Sequence, residues 1–238
     1  MSTTMSYRTL RESVADVIRN KILNHELQPG MRIIEHDIAT ELSISRGPIR
    51  EALRQLEQEG LVVYARNTGC SVRDVSLIDV LEVYTVRGSF ELTALKSIGG
   101  KFSQEALDEM YENVKQMKEM TVMDSITYDN QFHDVAIQEA KMHYLYKAWK
   151  DLEFVNFFSY YIETEPTSLI PDRQYVAHKY LYDVYCTGDL KEMLHTLASH
   201  YLSSIRRKMQ EHHLTEADLP FSLSVLTEYE HNEKTSVL

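Results

Sequence analysis

Four residues in the second half of the chain have the types and spacing of a metal site. Asp129 and His133 stand four apart in YDNQFHDVAI, which puts both on one face of one helix. His178 and His200 are 22 apart, with Gly188-Asp189 near their midpoint. A chain that reverses at that break sets the two histidines level on adjacent antiparallel helices. Three helices then direct one carboxylate and three imidazoles at one spot inside a bundle. That donor set suits Zn²⁺, Ni²⁺ or Mn²⁺, with a position left for water or a ligand oxygen. Taken singly, each histidine has a plainer reading as a surface or half-buried side chain, and His143, His195, His212 and His213 are read that way. His195 precedes His200 by five residues, about 140° round a helix, so it faces elsewhere.

A second set of residues suits a polyanion. Arg46 and Arg50 project from one face of the first turn of a helix that opens Ser45-Arg46-Gly47-Pro48-Ile49-Arg50. A forked guanidinium can bond two acceptors on a guanine edge, which a lysine ammonium cannot. The Ser45 hydroxyl is placed to cap this helix, and it and the helix-start N–H groups suit a phosphate oxygen. The competing reading has Arg46, Arg50 and Arg54 solvating a helix face and pairing with Glu51 or Glu57.

The elements that must position these groups are readable. Residues 8–25 have the apolar spacing of an amphipathic helix, stopped by Leu27-Gln-Pro-Gly30. A short helix over 35–42 and the Arg46/Arg50 helix, running to about Gln58, are joined by Ser43-Ile44-Ser45. Leu61–Tyr64 and Cys70–Arg73 then read as two strands about the turn Asn67-Thr68-Gly69. Two helices joined by a short break and followed by a hairpin are the parts of a winged helix-turn-helix. Gly69 would let the wing tip approach the DNA backbone closely. From Asp74 onward the pattern is helical, over 76–98, 104–121, 124–140, 143–163, 172–186 and 189–213. The fold class expected is mainly α. A winged helix-turn-helix (three helices plus a β-hairpin, 1–75) precedes an all-α bundle (76–215) and a polar tail (216–238).

Composition narrows the function. The 238 residues are 43% apolar and 26% charged, with 8 Gly and 5 Pro, as in ordinary globular chains. Net charge is −11, but ten of the 25 Lys and Arg and ten of the 36 Asp and Glu lie in residues 1–75, so the whole excess lies beyond them. The neutral head can bind phosphates if its arginines share a face, whereas the acidic remainder is unsuited to DNA. Two cysteines, Cys70 and Cys186, cannot staple a secreted scaffold. No apolar run approaches the ~20 residues of a membrane helix. The N-terminus also lacks a signal peptide's apolar core. The expectation is a cytoplasmic protein with no membrane partner.

The run LQPGMRIIEHDIATELSISRGPIREALRQLEQEGLV resembles the GntR family of bacterial transcription regulators, with matches including Pro29, Gly30, Glu35, Ala39, Ser45, Arg46, Pro48, Arg50, Glu51, Glu59 and Gly60. The resemblance implies operator contacts by Arg46, Arg50 and the wing glycine. His36 stands where some members carry a DNA-contacting arginine. With Gly47, Arg54 and Thr68 these make the expected DNA-binding set: His36, Ser45, Arg46, Gly47, Arg50, Arg54, Thr68 and Gly69. Downstream, DNQFH, HKYLYDVYCTGD and MLHTLASH resemble segments of the FCD-type effector domain of the family's fatty-acid-regulator branch. That likeness implies a divalent metal on Asp129, His133, His178 and His200, assisting the binding of a small organic acid. Ala177, where an acidic residue often precedes the ligand, and His143, where Asn is usual, depart from the pattern. YTVRGSFELTAL resembles the first helix of such domains, with Arg87 and Glu91 four apart. Arg87 either faces an effector carboxylate or simply pairs with Glu91, and Tyr175, near His178, is a further pocket candidate. The function expected is a homodimeric regulator on double-stranded operator DNA, modulated by a carboxylate metabolite and not an enzyme. The alternative is a metal-dependent hydrolase with an appended DNA-binding module.

Overall fold

The computed structural model describes residues 9–65, 69–118, 121–163 and 169–230, which fall into two units divided between Ser76 and Leu77. In the first, helix α1 (Leu10–Leu23) starts at Thr9, whose hydroxyl accepts the Glu12 N–H while the Glu12 carboxylate accepts the Thr9 N–H. Helices α2 (Glu35–Glu41) and α3 (Arg46–Gln58) follow. Val14, Ile18 and Ile22 of α1 are buried, as are Ile49, Leu53 and Leu56 of α3. Arg19 of α1 grips the Glu59 carboxylate at the end of α3, with Nη2 2.6 Å from Oε1.

The expected hairpin is present as β2 (Val62–Ala65) and β3 (Gly69–Val72), but a third strand joins it. Strand β1 (Arg32–Ile33) pairs antiparallel with β3, giving the order β1-β3-β2. Two residues are too few to show the alternation that marks a strand in sequence.

The second unit is a helical bundle. It contains α4 (Leu77–Ile98), α5 (Gln104–Gln116), α6 (Val122–Glu139), α7 (His143–Lys150), α8 (Phe154–Tyr161), α9 (Ile170–Tyr185) and α10 (Leu190–Glu211). The helix expected over 143–163 is two helices, parted at Asp151–Glu153. Trp149 and Phe158 are both fully buried. On one continuous helix they would lie about 180° apart, so the bend is what turns both inward. Leu81, Leu95, Phe132, Leu197 and Leu202 lie in the bundle core.

Residues 216–230, read from sequence as part of a polar tail, pack on the bundle. A short helix α11 (Ser224–Thr227) buries Leu226, and Leu223 is buried beside it. Leu226 enters a notch in α4 made by Gly88. A Cβ there would lie 2.8 Å from Leu226 Cδ2 and 3.1 Å from the Tyr201 ring. Glycine inside a helix costs ~0.5–1 kcal/mol relative to alanine, and close packing explains it here.

Candidate functional site

In the first unit, α3 presents the expected reading surface. Ser45, Arg46, Gly47, Arg50 and Arg54 are exposed, as is His36 on α2. Arg46 makes no ion pair or hydrogen bond with the described residues. Arg50 is 63% exposed, with Nε 2.7 Å from Glu35 Oε2. Arg54 pairs with Glu57 at 2.9 Å and lies over the Tyr64 ring. These pairs are open to water, so each is worth well under ~1 kcal/mol and exchanges readily for another acceptor.

One local expectation fails. Ser45 occupies the N-cap of α3 with extended dihedrals, yet its hydroxyl makes no capping hydrogen bond. The N–H groups of the first turn therefore lack that side-chain partner. Gly69, at the start of β3, has φ +84°, which explains glycine there, and the Arg32 guanidinium flanks it at 3.6 Å from the position of a Cβ. Arg32 is a wing cation that sequence reasoning did not single out, because it lies outside α3. Thr68 falls outside the described residues.

In the second unit, α6, α9 and α10 bring His133, His178 and His200 together, with one ring nitrogen from each within 4.8 Å of the others. Their ring centroids are 4.9–5.2 Å apart. The fourth expected ligand, Asp129, reaches the cluster through His178, with Oδ1 3.0 Å from Nε2. The Asn156 amide donates to Asp129 Oδ2 and, at 2.7 Å, to Asn130 Oδ1.

The protons on two of these imidazoles can be assigned. His178 Nδ1 lies 2.8 Å from the Gln174 carbonyl oxygen, which only accepts, so this nitrogen carries hydrogen. His133 Nδ1 lies 2.8 Å from Glu91 Oε2 and donates to that carboxylate. Both rings thus turn Nε2 inward, and the two Nε2 atoms are 3.1 Å apart. Two lone pairs at that distance repel. Either one ring holds a second proton, or a cation stands in the proton's place, which is the arrangement of a carboxylate-braced histidine ligand set. The donor set therefore fits a divalent ion.

Burial and neighbouring charge act differently on the members of the cluster. Burial disfavours a charged His200, and neighbouring His178 and His133 add to this, so its imidazole is held neutral well below the usual range. Burial also opposes charge on His133, but Glu91 and Asp129 outweigh it and the net shift is upward. Burial would raise Asp129, yet the hydrogen bond and charge of His178 hold it below the usual carboxylate range.

Glu91 and Asn156 were not legible as site residues. Glu91 is fully buried and also accepts from Tyr201 at 2.9 Å and Tyr185 at 3.4 Å. It is no partner of Arg87, so the intrahelical pair allowed by the i,i+4 spacing does not form. Arg87 is 1% exposed, stacks 3.7 Å over Trp149, and reaches the Leu152 carbonyl only at 3.5 Å. Together with Asp129, His133 and His200 it lines a cavity of about 30 Å³. This small cup adjoins a cavity of about 360 Å³, sharing Tyr84, Gln174, His200 and Ser204 with it. Ala177 lines the larger cavity, whose wall also carries Arg173 and Arg207. Tyr175 is placed elsewhere: it packs against the bundle core beneath Lys118, whose Nζ is 5.6 Å from its ring, and lines neither cavity.

The head is thus a winged helix-turn-helix, and the second unit is an all-α domain with a buried imidazole cup. Residues 10–72 match the family of bacterial regulatory proteins, gntR family. The chain is 34% identical over 90 residues to the HTH-type transcriptional regulator YdhC of Bacillus subtilis (strain 168), covering 38% of this chain and 40% of that one. It is 28% identical over 149 residues to the gluconate operon transcriptional repressor of Bacillus licheniformis, covering 59% of each. The chain spans about half the length of these relatives. Its fold is similar to that of McbR/YncC of E. coli, with a TM-score of 0.61 at 20% identity, covering 87% of this chain and all of that one. Among the described residues, no helix is long and apolar enough to cross a membrane.

Proposed function

We propose that the chain is a DNA-binding transcription regulator whose operator affinity responds to a small carboxylate. The observation that carries this reading is the exposed pair Arg46 and Arg50 on the first turn of α3, within a domain that matches the gntR family. That turn enters a major groove, the guanidinium forks read base edges, and Ser45 with the helix-start N–H groups takes a phosphate. Two copies related by a two-fold axis place their heads on two half-sites of a near-palindromic operator in the cytoplasm.

The helical unit is the sensor, in the manner of an FCD domain. His133, His178, His200 and Asp129 hold a divalent ion, which supplies positive charge for a carboxylate oxygen. Arg87 supports the same reading from the protein side. It is a buried guanidinium with no carboxylate partner among the described residues, facing the cup. Counting Asp129 and Glu91 against Arg87 and a divalent ion leaves one positive charge, which one carboxylate neutralises. The adjoining cavity has room for the rest of a small organic acid. To regulate, that acid must bind the DNA-competent and DNA-incompetent states with different affinity.

A hydrolase is set aside. The relatives compared above are regulators of transcription, and Glu91 is engaged by His133, Tyr185 and Tyr201 rather than free to act as a general base. The test is fluorescence anisotropy on a duplex from beside the chain's own gene, at several salt concentrations, with and without Zn²⁺ or Ni²⁺ and a panel of small acids. Salt-dependent binding that prefers this duplex, and shifts with an acid, is expected. Equal affinity for unrelated DNA would overturn the reading.

A further inference from the structure

The carboxyl-terminal segment packed behind the cup has no part in the reading so far. Its Leu226 side chain shares the Gly88 notch with the ring of Tyr201. Tyr201 donates its hydroxyl to Glu91 Oε2 at 2.9 Å. Glu91 lies one helical turn from Gly88 on α4 and accepts the His133 Nδ1 proton at 2.8 Å. His133 in turn aims Nε2 into the cup. Beyond α11, the segment is fastened again. Tyr229 offers its carbonyl to His195 Nδ1 at 2.9 Å, its ring lies beneath Lys96, and Glu230 pairs with Arg206 through both oxygens.

We propose that this segment is a strap that positions the metal site: Leu226, wedged in the Gly88 notch, holds Tyr201 against Glu91 and so fixes the tautomer and aim of His133. The physical basis is that a ligating imidazole is only as well directed as the group on its other nitrogen. Glu91 is itself directed by two phenols, and the ring of Tyr201 is backed by the strap. Filling the notch from α4 would not serve, because the helix leaves no space there for a Cβ. Leu226 is thus a positioning residue, separated from the cation by Tyr201, Glu91 and His133. The inference rests on the reading of the cup as a metal centre.

The test uses the full chain and Zn²⁺ alone. Zn²⁺ affinity is measured by chelator competition for wild type, Leu226→Ala, Tyr201→Phe and the double variant. In parallel, the His133 ring nitrogens are followed by ¹⁵N NMR in the metal-free protein. Leu226→Ala and Tyr201→Phe should each weaken Zn²⁺ by ~10-fold or more, the range for outer partners of a ligand. The double variant should be little weaker than either single one, because both act through one path. Both should move the His133 Nδ1 resonance, and Leu226→Met should restore wild-type behaviour. If Leu226→Ala does not fold, Leu226→Val gives the same readouts. The inference is overturned if the Leu226 variant melts earlier yet keeps Zn²⁺ affinity within about twofold and leaves the His133 resonance in place. If wild type itself binds no Zn²⁺, the reading of the cup fails, and the metal-free spectra still decide whether Leu226 directs His133.

Discussion

The two charged centres of this protein are built in opposite ways. On α3, Arg46 and Arg50 stand in water, and the ion pair of Arg50 with Glu35 is exposed. In the helical unit, His133, His178, Asp129 and Glu91 are buried and their polar atoms are tied to one another. A surface that meets a polyanion gains from charge density and tolerates mobile side chains. A cup for one ion, as proposed here, would have to fix lone pairs in space, and burial with assigned tautomers is how imidazoles do so. The difference teaches where each centre is fragile: the head in its cations, the cup in its supports.

The hardest test of that contrast is His178→Ala. It should lower Zn²⁺ or Ni²⁺ affinity by at least ~100-fold, more than loss of an outer partner, while metal-free binding to the operator duplex stays unchanged. Elemental analysis and anisotropy check the two halves. A variant that keeps its metal would remove the cup from the account.

Arg50→Ala comes next. Operator affinity should fall by ~10–100-fold at fixed salt, the worth of one specific guanidinium contact. The melting temperature should hardly move, because the Glu35 pair it loses is exposed. Normal binding by this variant would break the assignment of α3 as the reading helix.

A pH series separates the units by burial. Lys208 is buried, and burial pushes its ammonium down to about 8 although Glu163 pulls the other way. Between about pH 8 and 10.5 the unfolded chain therefore holds more protons than the folded one, so folding is favoured as pH rises through that window. Wild type should gain ~1–3 kcal/mol relative to Lys208→Met across it, read by urea unfolding. A flat difference would show the ammonium to be better solvated than its surroundings suggest.

The smallest effect separates two N-caps. Thr9→Ala should cost ~1 kcal/mol, because its hydroxyl is bonded to the helix. Ser45→Ala should cost only a few tenths, because its hydroxyl is not. Its effect should appear in DNA affinity instead. Equal thermal losses for the two would restore the capping role expected from sequence.

Legibility followed locality. Helix α3 ends at Gln58, about where the sequence reading ends it, and strands β2 and β3 fall on the two β-rich runs, while Asn67 and Thr68 of the expected turn lie outside the described residues. The histidines were legible because the 22-residue spacing about Gly188-Asp189 carries its own geometry. Glu91 was not, because a nearby Arg87 offered an ordinary i,i+4 partner while its real one, His133, lies 42 residues on. The division between α7 and α8 has no Gly or Pro to announce it. Leu226 was hidden because Leu219, Phe221 and Leu223 recur at every second position, a strand-like alternation that gives no sign of the short helix α11.

The Glu35 carboxylate beside Arg50 has a consequence for searching along DNA. A guanine edge can take the guanidinium over, but a head resting loosely on random sequence brings that carboxylate towards the phosphates with no such compensation. On the proposed reading of α3, stray sites would be released sooner than the tally of arginines suggests, and the residence time would lengthen where the bases accept the exchange.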